Sequence, residues 1–163
     1  VQVVERNPQA LSNFISTSPW ADAPLLAAIG QQAAERLSAS AAGSARALLL
    51  DESGIAKQGT ASVGVARQYC GALGKVDNCQ VGVYLAYSTD HEATLIDRRL
   101  YLPQKWVDDP ARCTKAGIPA QAQVFRTKAE LGLAMIQAAR GQGRAWPLIL
   151  SGWMPITANN PGC

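Results

Sequence analysis

Apolar residues recur at helical spacing from Asn7 to Leu37: Leu11, Phe14 and Ile15, then Leu25, Leu26, Ile29, Ala33 and Leu37. The spacing predicts two short amphipathic helices parted near Ser18–Asp22. Asp22 and Pro24 stand where the second takes a cap and a first-turn proline. The run SASAAGSA, Ser38 to Ala45, is small and polar and reads as a linker. Beyond it the period changes. Ala47-Leu48-Leu49-Leu50 is a continuous apolar run that stops at Asp51-Glu52-Ser53-Gly54, the pattern of a buried strand followed by a turn. Further strands are predicted at Ser62–Arg67, Gln80–Tyr87, Thr94–Leu102 and Trp146–Leu150, with Pro103–Pro119 irregular. Thr127 and Glu130 make a T-x-x-E capping box for a helix that Gly141 ends, with Leu131, Ala134, Met135 and Ala138 on one face. This order predicts an α/β fold on a mixed sheet, with a helical segment and linker over residues 1–43 and a core over 44–163.

Between the second and third predicted strands lies QYCGALGKVDNCQV, from Gln68 to Val81. Its Gly71, Gly74 and Asp77-Asn78 are turn residues, so it reads as a hairpin connection with Cys70 and Cys79 near the strand ends. Asn78 and Gln80, which flank Cys79, read as residues that satisfy turn backbone. A zinc site would take C-x2-4-C pairs or histidine partners, whereas eight residues separate these cysteines and His91 is the lone histidine. Four cysteines in 163 residues, with no basic and apolar leader in VQVVERNPQAL, predict free, partly buried thiols in a cytoplasmic protein. No run of about 18 apolar residues exists to span a membrane.

The net charge is only +3, yet twelve of the fifteen basic residues lie after position 56, a weak polyanion signature. Candidate chemistry is narrow. A single histidine, no G-x-S-x-G elbow and no phosphate-binding G-x-x-x-x-G-K-[ST] loop leave the carboxylates. Asp51, after a buried apolar run, is the best placed of them. Such a residue is either a turn or cap residue or a first ligand for metal-dependent phosphoryl chemistry, which needs further acids beside it.

The succession LLLDESGIAKQG, SVGVARQYCGALGKVDNCQVGVYLAY, RRLYLPQKW and FRTKAELGLAMI resembles the DDE-type transposases of bacterial insertion sequences. Asp51, Glu52, Ser53, Gly54, Lys57 and Gly59 fit the family's D-[DE]-[ST]-G-x-x-K-x-G motif, and the likeness runs from about Leu11 to Gly141. It implies a ribonuclease-H-like mixed sheet with flanking helices. It also implies three acids that bind two Mg2+ ions, and DNA (transposon ends and target) as partner, with a homodimer as the assembly. Asp51 carries over as the first catalytic acid and metal ligand. Lys57, Arg67 and Lys75 are the candidate phosphate contacts, cations supplying most sequence-independent affinity for DNA.

The family's second Asp stands in a D-x-x-Y-G motif one strand after the helix, but here no acidic residue follows Glu130. Two readings stand: an inactive fragment of a DNA-cleaving transposase, and a non-catalytic remnant that at most binds DNA. The tail itself suggests how the motif was lost. Trp153 and Met154 each have one codon, so the gene reads TGGATG, and Pro155-Ile156-Thr157-Ala158 add CCN, ATH, ACN and GCN. Read two bases later, these give Asp-Ala and then codons that admit Asp-Tyr-Gly. A frameshift predicts D-x-x-Y-G in the alternative frame after Arg144, and a stretch Leu148–Ile156 poorly integrated with the sheet. Sequencing the gene tests this, and an alternative frame without that motif rules it out.

Overall fold

The computed structural model describes residues 8–16, 22–40 and 45–141. Two helices come first, α1 (Pro8–Ser16) and α2 (Asp22–Ser40). Four strands follow: β1 (Arg46–Ala56), β2 (Ala66–Cys70), β3 (Lys75–Thr89) and β4 (Ala93–Leu100). Then come the short helices α3 (Gln104–Val107) and α4 (Pro110–Lys115), and α5 (Lys128–Gly141). Among the described residues no helix is long and apolar enough to cross a membrane.

β3 organises the sheet. Its whole length from Cys79 to Thr89 pairs antiparallel with β1. Cys79 also pairs with Ala66, so β2 lies on the opposite edge of β3, and β4 continues that edge from Gly82 to Ser88. The described strands are all antiparallel. The segment Trp146–Leu150, read as the strand that would make the sheet mixed, lies outside the described residues, as does Leu148–Ile156. Antiparallel strands with flanking helices are compatible with a ribonuclease-H-like core.

Several elements differ from their sequence expectation: Pro103–Pro119, expected to be irregular, contains α3 and α4, and α2 runs on to Ser40 into the expected linker. Asp51-Glu52-Ser53-Gly54 is not a turn, because β3 is long enough to pair with it and carries β1 on to Ala56. Ser62–Val65, part of an expected strand, forms a turn instead: Val65 N–H donates to the Ser62 carbonyl at 3.1 Å, and Gly64 has a left-handed φ of +74°. A Cβ there would also lie 2.7 Å from the Tyr101 carbonyl, so glycine is required twice over. The hairpin forms, but its turn is tighter than expected: β2 passes into β3 through a 3-10 turn at Gly71–Leu73 and Gly74 at φ +64°, and Asp77-Asn78, read as turn residues, are paired strand residues of β3.

One face of the sheet carries the core. Leu48 and Leu50 of β1, Val83, Leu85 and Tyr87 of β3, and Ile96 of β4 pack with Ala33 and Leu37 of α2 and Met135 and Ile136 of α5. Gly132 lets α5 settle directly on Leu50. On the same face, Cys70 sits over Gly54, where a Cβ would lie 2.9 Å from its Sγ and 3.1 Å from its Cα. The motif glycine after Asp51-Glu52-Ser53 is therefore a packing residue that lets the hairpin fold over β1.

The capping box forms in full. Glu130 Oε2 accepts from Thr127 N–H at 2.7 Å and from its hydroxyl at 2.9 Å, and Glu130 N–H donates back to Thr127 Oγ1 at 3.2 Å. The Thr127 backbone bond is the main cause holding the Glu130 carboxyl below its ordinary value of 4.5, ahead of the Thr127 hydroxyl and the Arg126 charge. A depressed folded value means stability that is present above 4.5 and is lost as pH falls through the folded value. Glu130→Gln is expected to flatten that part of the urea-midpoint profile below pH 4.5, and identical acid profiles for the two proteins would count against it.

Candidate functional site

The pleat sorts β1 into two sets. Leu48, Leu50, Glu52 and Gly54 face the helices, whereas Leu49, Asp51, Ser53 and Ile55 face the other side. Asp51 is thus the sixth residue of an eleven-residue strand, exposed on the open sheet face rather than at a strand end. Its Oδ1 accepts from Glu52 N–H at 2.8 Å. Across the sheet it pairs with Tyr84, which pairs in turn with Arg98 of β4, so a carboxylate, a phenol and a guanidinium share one row. The Tyr84 ring leans along β3 over Gly82, where a Cβ would lie 2.6 Å from the hydroxyl.

Glu52 turns the opposite way. Lys128, at the start of α5, reaches its Oε1 at 2.7 Å, each side chain a quarter exposed, and stands 5.5 Å over the Tyr101 ring. Burial, and secondarily the Glu52 charge, raises the Tyr101 hydroxyl above its ordinary value. Neighbouring in sequence, Asp51 and Glu52 therefore do not converge. Among the described residues no three or more of His, Cys, Asp and Glu gather as metal ligands. Two divalent ions held about 3.5–4 Å apart require several converging carboxylates, and these residues do not provide them. No chemical step through a metal follows from this set.

The three candidate cations divide. Arg67 of β2 is exposed and pairs across the ladder with Asn78. Lys57 N–H donates to the Asn78 carbonyl at 3.0 Å, continuing the ladder on the other side of β3. Asn78 therefore stands between Lys57 and Arg67, on the face that holds Asp51. Lys75 lies on the other face at the hairpin tip, tied to Asp77 Oδ2 at 3.0 Å. The Asn78 backbone bond and then Lys75 keep the Asp77 carboxyl below its ordinary range. The open face also presents Ile55, Tyr69, Val76, Leu95 and Leu100 as exposed apolar side chains.

Asn78 and Gln80 do satisfy turn backbone, as their positions suggest. Asn78 Nδ2 donates to the carbonyls of Lys57 and Gly59 at 2.8 and 2.7 Å, and Gln80 Nε2 to Val63 at 2.6 Å. Arg112 has no sequence signal, yet its Nη2 donates to the Thr60 carbonyl at 2.7 Å while its guanidinium stacks 3.7 Å from the Trp106 ring. No motif links residues 52 positions apart.

No curated protein matches the chain, and no solved structure does. A family described as DDE superfamily endonuclease matches residues 2–152. That match spans nearly the whole chain and takes in the strand bearing Asp51, so the chain belongs to the DDE superfamily endonucleases.

Proposed function

We propose that this chain derives from an insertion-sequence DDE transposase, engages DNA through the open sheet face, and does not cleave DNA by itself. The observation that carries the reading is the placement of Asp51. The motif Asp shares an exposed sheet face with Lys57 and Arg67, while its sequence neighbour Glu52 is bound to Lys128 behind the sheet. Asp51 is the first of the three acids that the family uses with Mg2+. The second and third have no counterpart after Glu130. The family match stops at residue 152, directly before Trp153-Met154, where the alternative frame encodes Asp, and this supports a frameshift as the origin of the tail.

Incubated with supercoiled plasmid and Mg2+, the chain is expected to bind without nicking. Nicking that vanishes in Asp51→Ala would overturn the reading. In duplex-binding titrations, each phosphate neutralised contributes a slope of about −0.9 in log K against log salt. Lys57→Ala and Arg67→Ala are each expected to weaken binding and reduce that slope by about 1. Lys75→Ala should leave both unchanged, because Lys75 is paired with Asp77 on the opposite face.

A further inference from the structure

Residues 57–64, between β1 and β2, are held almost wholly by their carbonyls. Asn78 takes those of Lys57 and Gly59, Arg112 that of Thr60, and Gln80 that of Val63. Val65 N–H takes the Ser62 carbonyl at 3.1 Å, and the buried Trp106 takes that of Val65 at 2.9 Å. The N–H groups are disposed otherwise. Lys57 N–H joins the ladder, but none of the N–H groups from Gln58 to Gly64 has an acceptor among the described residues. Gln58, Gly59, Thr60 and Ala61 are exposed, and a Cβ built on Gly59 meets nothing within 4 Å, so the outer side of the loop is open.

A loop whose carbonyls are consumed and whose amides are unused presents partial positive charge to its open side. Runs of main-chain N–H groups that include a left-handed residue form anion-binding concavities, and Gly59 at φ +75° supplies that residue. Full positive charges flank it: Lys57 at its start, Arg112 bonded to Thr60, and Arg67 across from Asn78. We propose that the main-chain N–H groups of Gln58, Gly59, Thr60 and Ala61 grip the phosphate backbone of DNA, and that Asn78, Gln80 and Arg112 are the positioning residues that hold the loop in shape. The inference rests on the DNA-binding reading above and deepens it. Asp51 and Lys57 are six positions apart along the extended chain, about 20 Å at the usual rise. That is roughly six base pairs of duplex at 3.4 Å each, so one short duplex reaches both.

The test is a proton–nitrogen correlation titration of the 15N-labelled full chain with a duplex of about twelve base pairs and, separately, with pyrophosphate. Both ligands are expected to move the amides of Gln58, Gly59, Thr60 and Ala61. Gly59→Ala meets no steric obstacle and strains only the left-handed turn, so the core amides should stay in place. Its duplex affinity should fall by about tenfold, the value of one hydrogen bond to a charged group. The salt slope should remain that of the wild type, because an amide displaces no counterion, whereas Lys57→Ala changes the slope. Asn78→Ala gives the same pattern by releasing the loop. Duplex binding that leaves these four amides unmoved overturns the loop assignment while sparing the DNA reading. Movement with pyrophosphate but none with duplex keeps an anion site and removes DNA as its ligand. Movement with neither ligand refutes both.

Discussion

Replacing Trp106 by alanine is expected to cost about 3–5 kcal/mol of unfolding free energy, the range for large-to-small substitutions of buried aromatics. Trp106 is 1% exposed and is the largest member of a satellite cluster whose other buried residues are only Val65 and Cys113. With the indole gone, three supports go together. The Val65 carbonyl loses its Nε1–H donor, Arg112 loses the ring it stacks on, and Leu102, Ala116 and Ile118 lose the body they pack against. Trp106→Phe keeps most of the apolar volume and forfeits the hydrogen bond, for a loss of about 1–3 kcal/mol from the orphaned carbonyl. The damage should also be local. Val65 and Trp106 belong to the 57–65 loop and the α3–α4 segment, not to the sheet core built on Leu48, Leu85 and Met135. Amide exchange should therefore accelerate first at Val65, Trp106 and Cys113, ahead of the β1–β3 ladder. An alanine variant with the wild-type urea midpoint would show that the cluster contributes nothing to the fold.

What the chain pattern makes legible, and what it hides, follows from the range of the forces involved. The capping box at Thr127 and Glu130 is readable because its three hydrogen bonds close within one helical turn. The hairpin is readable for the same reason, Gly74 providing the left-handed residue its turn needs. The continuation of β1 through Asp51-Glu52-Ser53-Gly54 is not readable. Those residues favour a turn locally, and only pairing with Val81 to Tyr84, some thirty residues on, makes them a strand. The run SVGVAR alternates like a strand, yet pairing begins only at Ala66, because Gly64 turns the chain to pass beneath Tyr101. The helices α3 and α4 span four and six residues, too short to show a period, and are tied to the loop before β2 by Trp106 on the Val65 carbonyl and Arg112 on the Thr60 carbonyl. For the candidate site, residue types were readable but faces were not. Strand parity decides that Lys57 and Arg67 flank Asn78 on the same face as Asp51 while Lys75 and Glu52 lie behind the sheet, and parity depends on a register that no local pattern specifies.

The Cys79 thiol is expected to resist alkylation in the folded protein beyond what exclusion of the reagent alone provides. Burial is the first cause raising its pKa from the ordinary 9.0 to about 11, followed by the charge and hydrogen bond of the neighbouring Cys70 thiol, with Lys128 opposing them weakly. Only the thiolate attacks iodoacetamide, and a raised pKa removes thiolate at any pH below both values. Cys70 and Cys79 are fully buried with Val81, not partly buried as their place in a hairpin suggests. They are held as thiols, Cys70 S–H donating to the Gly54 carbonyl at 3.4 Å and Cys79 S–H to that of Gln68 at 3.7 Å. They serve as a small clasp that closes the hairpin over β1 at Gly54, with neither a metal nor nucleophilic chemistry in prospect. Peptide mapping after iodoacetamide at pH 8 should find Cys70 and Cys79 unmodified in the native chain and labelled within minutes in guanidinium. Gly54→Val is the complementary variant. Its side chain would strike the Sγ and backbone of Cys70, lift the hairpin and expose both thiols, raising native labelling toward the unfolded rate. Rapid native labelling of Cys79 in the wild-type chain would mean that the hairpin does not close over β1, and the packing role given to Gly54 would fail with it.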